Sequence, residues 1–92
     1  MNTLVEVKSS INEVIDNSKY YKNCYFWTPY GNAASRRSRE FEIEFSFVHN
    51  NQEISVSQSL SISCRNFYFH TDIRRDGKKS NITFLKNALA NA

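Results

Sequence analysis

The sequence predicts an α+β domain: a four-stranded antiparallel sheet in meander order with an N-terminal and a C-terminal helix packed on one face, α-β-β-β-β-α. Three observations predict it. Phe41, Ile43, Phe45 and Phe47 alternate with Glu42, Glu44 and Ser46, the period-two pattern of a half-buried strand. The return stretch repeats it, with Ile54, Val56, Leu60, Ile62 and Cys64 on one parity and Ser55, Ser57, Ser59, Ser61 and Ser63 on the other; Gln58 interrupts the apolar set. At both ends of the chain the apolar residues recur at helical spacing instead.

The first helix is expected over residues 4–17, where Leu4, Val7, Ile11, Val14 and Ile15 form an apolar stripe. The β-branched residues in its opening turns and the Ser10–Glu13 capping-box spacing favour a regular start as late as Ser9 or Ser10. Residues 20–28, YYKNCYFWT, read as the first strand because nearly every side chain is aromatic or β-branched. Pro29, Gly31 and Asn32 then open a flexible basic loop over 29–38, with Arg36, Arg37 and Arg39 at its far end.

Asn50 and Asn51 both tolerate positive φ and join the two central strands as a two-residue hairpin. A single strand from Glu53 to Asp72 would extend roughly 65 Å, so a turn is placed at Arg65–Asn66, leading into Phe67–Asp72. Residues 73–79 are expected to form a loop turning at Asp76–Gly77. Ser80 caps a final helix through Asn91, with Ile82, Leu85, Ala88 and Leu89 facing the core and Lys78 and Lys79 at its start. Both helices should cover the face lined by Phe41, Ile43, Phe45, Phe47, Ile54, Val56, Leu60 and Ile62.

Ninety-two residues make one small domain spanning 1–92, and seven Phe, five Tyr and one Trp supply the large pieces for its core. Cys24 and Cys64 stand far apart with no CxxC and no His cluster, so a metal site is not expected; two buried thiols are the leading reading, and a disulfide is the alternative if their strands are neighbours. The chain shows neither a signal-peptide pattern nor a membrane-length apolar run, which places it in the cytoplasm with no membrane partner. The net charge of +3 is uneven: residues 1–46 hold six basic and six acidic side chains, residues 47–92 six basic and three acidic.

No catalytic signature or cofactor motif is present. His49 and His70 have no local acid to orient them, Glu42 and Glu44 read as solubilising residues on a strand face, and no glycine-rich phosphate loop occurs. The expectation is therefore a non-enzymatic protein without a cofactor. Its candidate contacts to a partner or a phosphate are Arg36, Arg37, Arg39, Arg65, Arg74, Arg75, Lys78 and Lys79. Tyr25, Trp27, Tyr30 and Tyr68 are the candidate aromatic contacts. These charges are also what an ordinary solvated face would carry.

Gly77-Lys78-Lys79-Ser80, leading into a helix that carries Leu85-Lys86-Asn87-Ala88-Leu89, resembles the lysine-bearing second helix of double-stranded RNA-binding domains. The order helix, sheet, helix is similar too, and the resemblance covers roughly a third of the chain. It implies three strands, which bring the first hairpin loop and the lysines to one end of the sheet. Four strands would instead send residues 30–39 and 73–79 to opposite ends, so the family serves as a test and is not assigned.

The leading functional expectation is an inhibitor or adaptor that docks on a protein partner belonging to a nucleic-acid-handling machine, because Tyr, Trp and Arg are the usual anchors of flat interfaces. Direct nucleic-acid binding through the Arg and Lys loops is the alternative. A second copy of the chain is a further candidate partner, through the serine-rich face of residues 55–63.

Overall fold

The computed structural model describes residues 2–21, 40–63 and 66–91. In chain order the elements are β1 (Asn2–Thr3), α1 (Leu4–Tyr20), β2 (Phe41–His49), β3 (Gln52–Ser63), β4 (Asn66–Arg75), β5 (Lys78–Lys79) and α2 (Ile82–Ala90). The sheet has five strands in the order β1-β2-β3-β4-β5 and is mixed. β1 runs parallel to β2, and every other pair is antiparallel. The four-stranded antiparallel sheet expected from the sequence is thus incorrect.

Two causes account for the difference. Tyr20, taken as the start of a first strand, is the last residue of α1, and Tyr21 caps that helix by donating its N–H to the Asn17 carbonyl at 2.9 Å. The remainder of the expected strand, residues 22–28, lies outside the described residues, as do the basic loop 29–38 and both cysteines. The added strands β1 and β5 have two residues each, too short to show any periodicity.

α1 begins at Leu4, where the apolar stripe placed it, and not at the later start that the Ser10–Glu13 spacing favoured. Thr3 is its N-cap, with its hydroxyl accepting the Glu6 N–H at 3.4 Å. Thr3-x-x-Glu6 has the same capping-box spacing as Ser10-x-x-Glu13. Burial decides between them: the early start sets Val7 against the sheet at 4% exposure, together with Ile11, Val14 and Ile15. Each such side chain contributes about 1.5–3 kcal/mol, more than the few tenths lost to β-branching in the first turns. Thr3→Ala is expected to cost about 1 kcal/mol in urea unfolding; an unchanged midpoint would show that the cap contributes nothing.

The long strands form where alternation placed them. Phe41 pairs with Leu60 and His49 with Gln52, while Ile54 pairs with Arg75 and Ser63 with Asn66. Asn50 and Asn51 take φ of 52° and 63°, the two positive values that a type I′ hairpin requires. Asp76 and Gly77 take 49° and 82° in the same way, so residues 73–79 are not the expected loop. β4 continues through Arg75, turns, and returns as β5, with Arg74 opposite Lys79 and Arg75 opposite Lys78. The cap of α2 is Asn81, not Ser80; its side chain accepts the Phe84 N–H at 3.2 Å.

One face of this sheet carries the core. Phe47, Ile54, Val56 and Ile73 pack with Val7, Ile11, Val14 and Ile15 of α1 and Leu85 of α2. A smaller cluster at the other end joins Tyr21 and Leu60, with Phe41 and Phe69 around the Tyr21 ring at centroid distances of 5.9 and 5.5 Å. Both helices therefore serve the same side of β2–β4. The opposite side, bearing Glu42, Glu44, Tyr68, His70 and the β3 serines, has no described helix over it.

Candidate functional site

Two neighbouring hairpins place the four described candidate cations, Arg74, Arg75, Lys78 and Lys79, at one end of the sheet. The turns at 50–51 and 76–77 sit side by side because Asp76 closes both backbone links to Glu53. Its N–H donates to the Glu53 carbonyl and its carboxylate accepts the Glu53 N–H, each at 2.8 Å. A carboxylate used this way fixes the geometry of the second turn, and that turn sets the four basic residues flanking it.

Their environments differ. Arg74 is half-buried and committed: its Nε meets Asp72 Oδ2 at 3.0 Å and its Nη1 donates to the Gly77 carbonyl at 3.2 Å. Arg75 lies on the helix side of the strand end. Its guanidinium carbon stands 4.7 Å from the centroid of the Phe84 ring, and its Nε donates to Gln52 Oε1 at 3.3 Å. The His49 ring meets the same Phe84 edge-on at 6.3 Å. Lys78 and Lys79 are exposed and have no anionic partner among the described residues.

Gln52, Arg75, Asp76, Lys78, Lys79 and Ser80 line a recess of about 360 Å³ at this end. Lys78 and Lys79 do not stand at the helix start as expected; they form β5, with Ser80 and the Asn81 cap still to follow before α2. Gln52 and Phe84, which position Arg75, were not among the sequence candidates. Neither carries a local signal, since Gln52 is 23 residues from Arg75 in the chain and only the β3–β4 register brings them together.

Of the aromatic candidates, Tyr68 is described. It sits opposite Ser61 on the helix-free face and is 50% exposed. Arg36, Arg37, Arg39, Arg65, Tyr25, Trp27 and Tyr30 lie outside the described residues. Tyr21 and Phe41, which precede and follow the span 22–39, are held together at the end of the sheet opposite Lys78 and Lys79.

On the helix-free face, β2 contributes exposed Glu42 and Glu44, β3 a row of serines, and β4 Tyr68, His70, Asp72 and Arg74. Glu44, Ser55, Ser57 and Asp72 line a second recess of about 250 Å³. Asp72 is already paired with Arg74, and Glu42 and Glu44 are solvated, so this face does not provide the desolvated acid that paired-carboxylate chemistry needs. Among the described residues no group of three His, Cys, Asp or Glu side chains could hold a metal ion. No described helix is long and apolar enough to cross a membrane.

These features define an α+β domain with a mixed-charge sheet face that no described helix covers and a basic recess at one end. No protein-family model, curated protein or solved structure matches the chain.

Proposed function

We propose that the protein is a non-enzymatic inhibitor or adaptor that docks on a protein partner, one belonging to a nucleic-acid-handling machine. The face of β2–β4 that no described helix covers is the observation that carries this reading. Both described helices pack on the other side, and on the opposite polar surface charge is split: Glu42 and Glu44 lie along β2, and Lys79 stands opposite the Asp72-paired Arg74 at the end of β4. A surface of mixed sign repels a polyanion along one side and matches a protein carrying the reverse pattern. Tyr68 supplies an exposed aromatic anchor beside it.

The test is affinity capture from nuclease-treated cell extract with the wild-type chain, a Tyr68→Ala variant and an Arg74→Glu variant. One partner should be recovered directly by the wild type and lost with both variants. Equal recovery with all three would remove this face from the interface.

A second reading, direct nucleic-acid binding, is favoured by a separate observation. The turn at Asn50–Asn51 and the lysines Lys78 and Lys79 occupy the same end of the sheet, the placement that would let one backbone meet both. Binding to short duplex RNA and DNA across a salt series checks it. Affinity falling steeply as salt rises supports phosphate contact, and no binding at low salt eliminates it.

A further inference from the structure

We propose that the recess beside the β4–β5 turn is a phosphate-binding site, with Arg75, Lys78 and Lys79 as its cationic ligands and Ser80 and Gln52 as neutral hydrogen-bond donors. It goes beyond the docking reading, and it lies off the Tyr68-bearing part of the sheet, so the two can fail separately. It supplies a chemistry for the nucleic-acid reading but does not need it, because a free phosphate tests it alone.

Charge within the recess is unbalanced. Of the four cations at this end, Arg74 is neutralised by Asp72 and tied to the Gly77 carbonyl. The other three line the recess, Arg75 and Lys78 from the helix side of the hairpin and Lys79 from the side of Arg74, and among the described residues no carboxylate pairs with any of them. One carboxylate shares the lining, that of Asp76, and its Oδ1 is turned to the Glu53 N–H. The balance is three cations against one acid already engaged in holding the turn. An anion would offset that local excess.

The recess is also preorganised. An exposed arginine ordinarily samples many rotamers, and ordering it on binding costs part of the interaction. Arg75 is held in advance: Phe84 supports the face of its guanidinium and Gln52 holds its Nε. No contact among the described residues occupies its two terminal nitrogens. That leaves one edge of a planar fork presented for bidentate contact, the geometry that suits phosphate oxygens. The hairpin adds a fixed register, since Arg75 stands directly opposite Lys78 and the turn between them has both central φ values positive.

No apolar residue lines the recess, which holds about 360 Å³, room for a phosphate with its hydration. Phe84 is engaged by Arg75 on a face and by His49 at an edge, so the ring serves as a support for the cation. The ligand class is therefore the phosphate group itself. A free phosphate and a nucleic-acid backbone both offer it.

Amide NMR titration in a phosphate-free buffer, with inorganic phosphate in one arm and a short RNA duplex in the other, tests the site. Shifts are expected at Gln52 and across Arg75–Ser80, and the Arg75→Gln/Lys78→Gln/Lys79→Gln variant should bind at least roughly tenfold more weakly. Arg75→Lys keeps the charge and removes the fork; it should lose several-fold, which a merely electrostatic effect would not show. Tighter binding of the duplex with a steep salt dependence identifies a nucleic-acid backbone as the source, and comparable affinity in both arms identifies free phosphate. The proposal is overturned if neither probe shifts these amides, or if the triple variant binds as the wild type does. Unperturbed amide positions for Ile11 and Val56 in the variants verify that the fold is retained.

Discussion

Replacing Phe47 with alanine is expected to cost about 3–5 kcal/mol, among the largest losses at any described residue. The ring is fully buried and stacks on Phe45 at a centroid distance of 6.3 Å. It belongs to the cluster that joins α1, the sheet and α2, and its backbone pairs both with Ile54 of β3 and with Asn2 of β1. Truncation would open a cavity with rigid walls on three sides, which can collapse only by shifting a helix. Small domains are stable by about 5–15 kcal/mol, so the variant should unfold at a much lower urea concentration or be unfolded at the outset. A midpoint within experimental error of the wild type would refute the assignment of Phe47 to the centre of the core. The neighbouring variant Val48→Ala, at a position 42% exposed, should differ little and serves as the comparison.

The second large effect is expected at Gln58, the polar residue that interrupts the apolar parity of β3. It is 1% exposed and forms a four-way junction. Its Oε1 accepts from Asn17 Nδ2 at 2.9 Å, and its Nε2 donates toward the Val14 carbonyl at 3.1 Å, Ser18 Oγ at 3.2 Å and Thr71 Oγ1 at 3.0 Å. Two N–H bonds serve three acceptors, so at least one is shared. Asn17 is itself 2% exposed and depends on this partner.

Gln58→Leu leaves the Asn17 amide buried without its acceptor, at a cost of about 1–3 kcal/mol for that group alone. Adding Asn17→Leu removes the orphan and should restore part of the loss. The double variant is therefore expected to be more stable than the sum of the single effects indicates, with a coupling on the order of 1 kcal/mol or more. Strict additivity would mean that the junction is not a unit. Physically, the junction determines where α1 sits: hydrophobic contacts allow a helix to slide along a sheet, whereas the three directed hydrogen bonds to Val14, Asn17 and Ser18 admit one position.

The three long strands were legible because alternation is a local property. A residue's parity within a strand follows from its neighbours two positions away, and no tertiary information is needed to see Phe41–Phe47 or the serine row of β3. The hairpin at Asn50–Asn51 was legible for a similar reason, since few residue types accept positive φ. The start of α1 was ambiguous because two capping boxes compete seven residues apart. Local sequence scores them alike, and only the burial of Val7 on the sheet separates them.

The recess was half legible. Arg75, Lys78 and Lys79 stood out as charges, but the features that make them a site come from remote positions: Gln52 through strand register, Phe84 through the packing of α2, and Asp76 through its double link to Glu53. Lys78 and Lys79 also changed element, from the expected helix start to a strand, because the turn at 76–77 matches the sheet twist and returns the chain onto β4.

By itself the sequence determined the alternating strands, the apolar stripes of both helices and the sign of the charge excess, all set by side-chain order over a few residues. Tertiary structure alone decided the short parallel strand β1, the role of Gln58, and which cation is neutralised and which is left open. Those outcomes depend on contacts between segments tens of residues apart, and the free energy of such contacts exists only once the sheet has been closed under its helices.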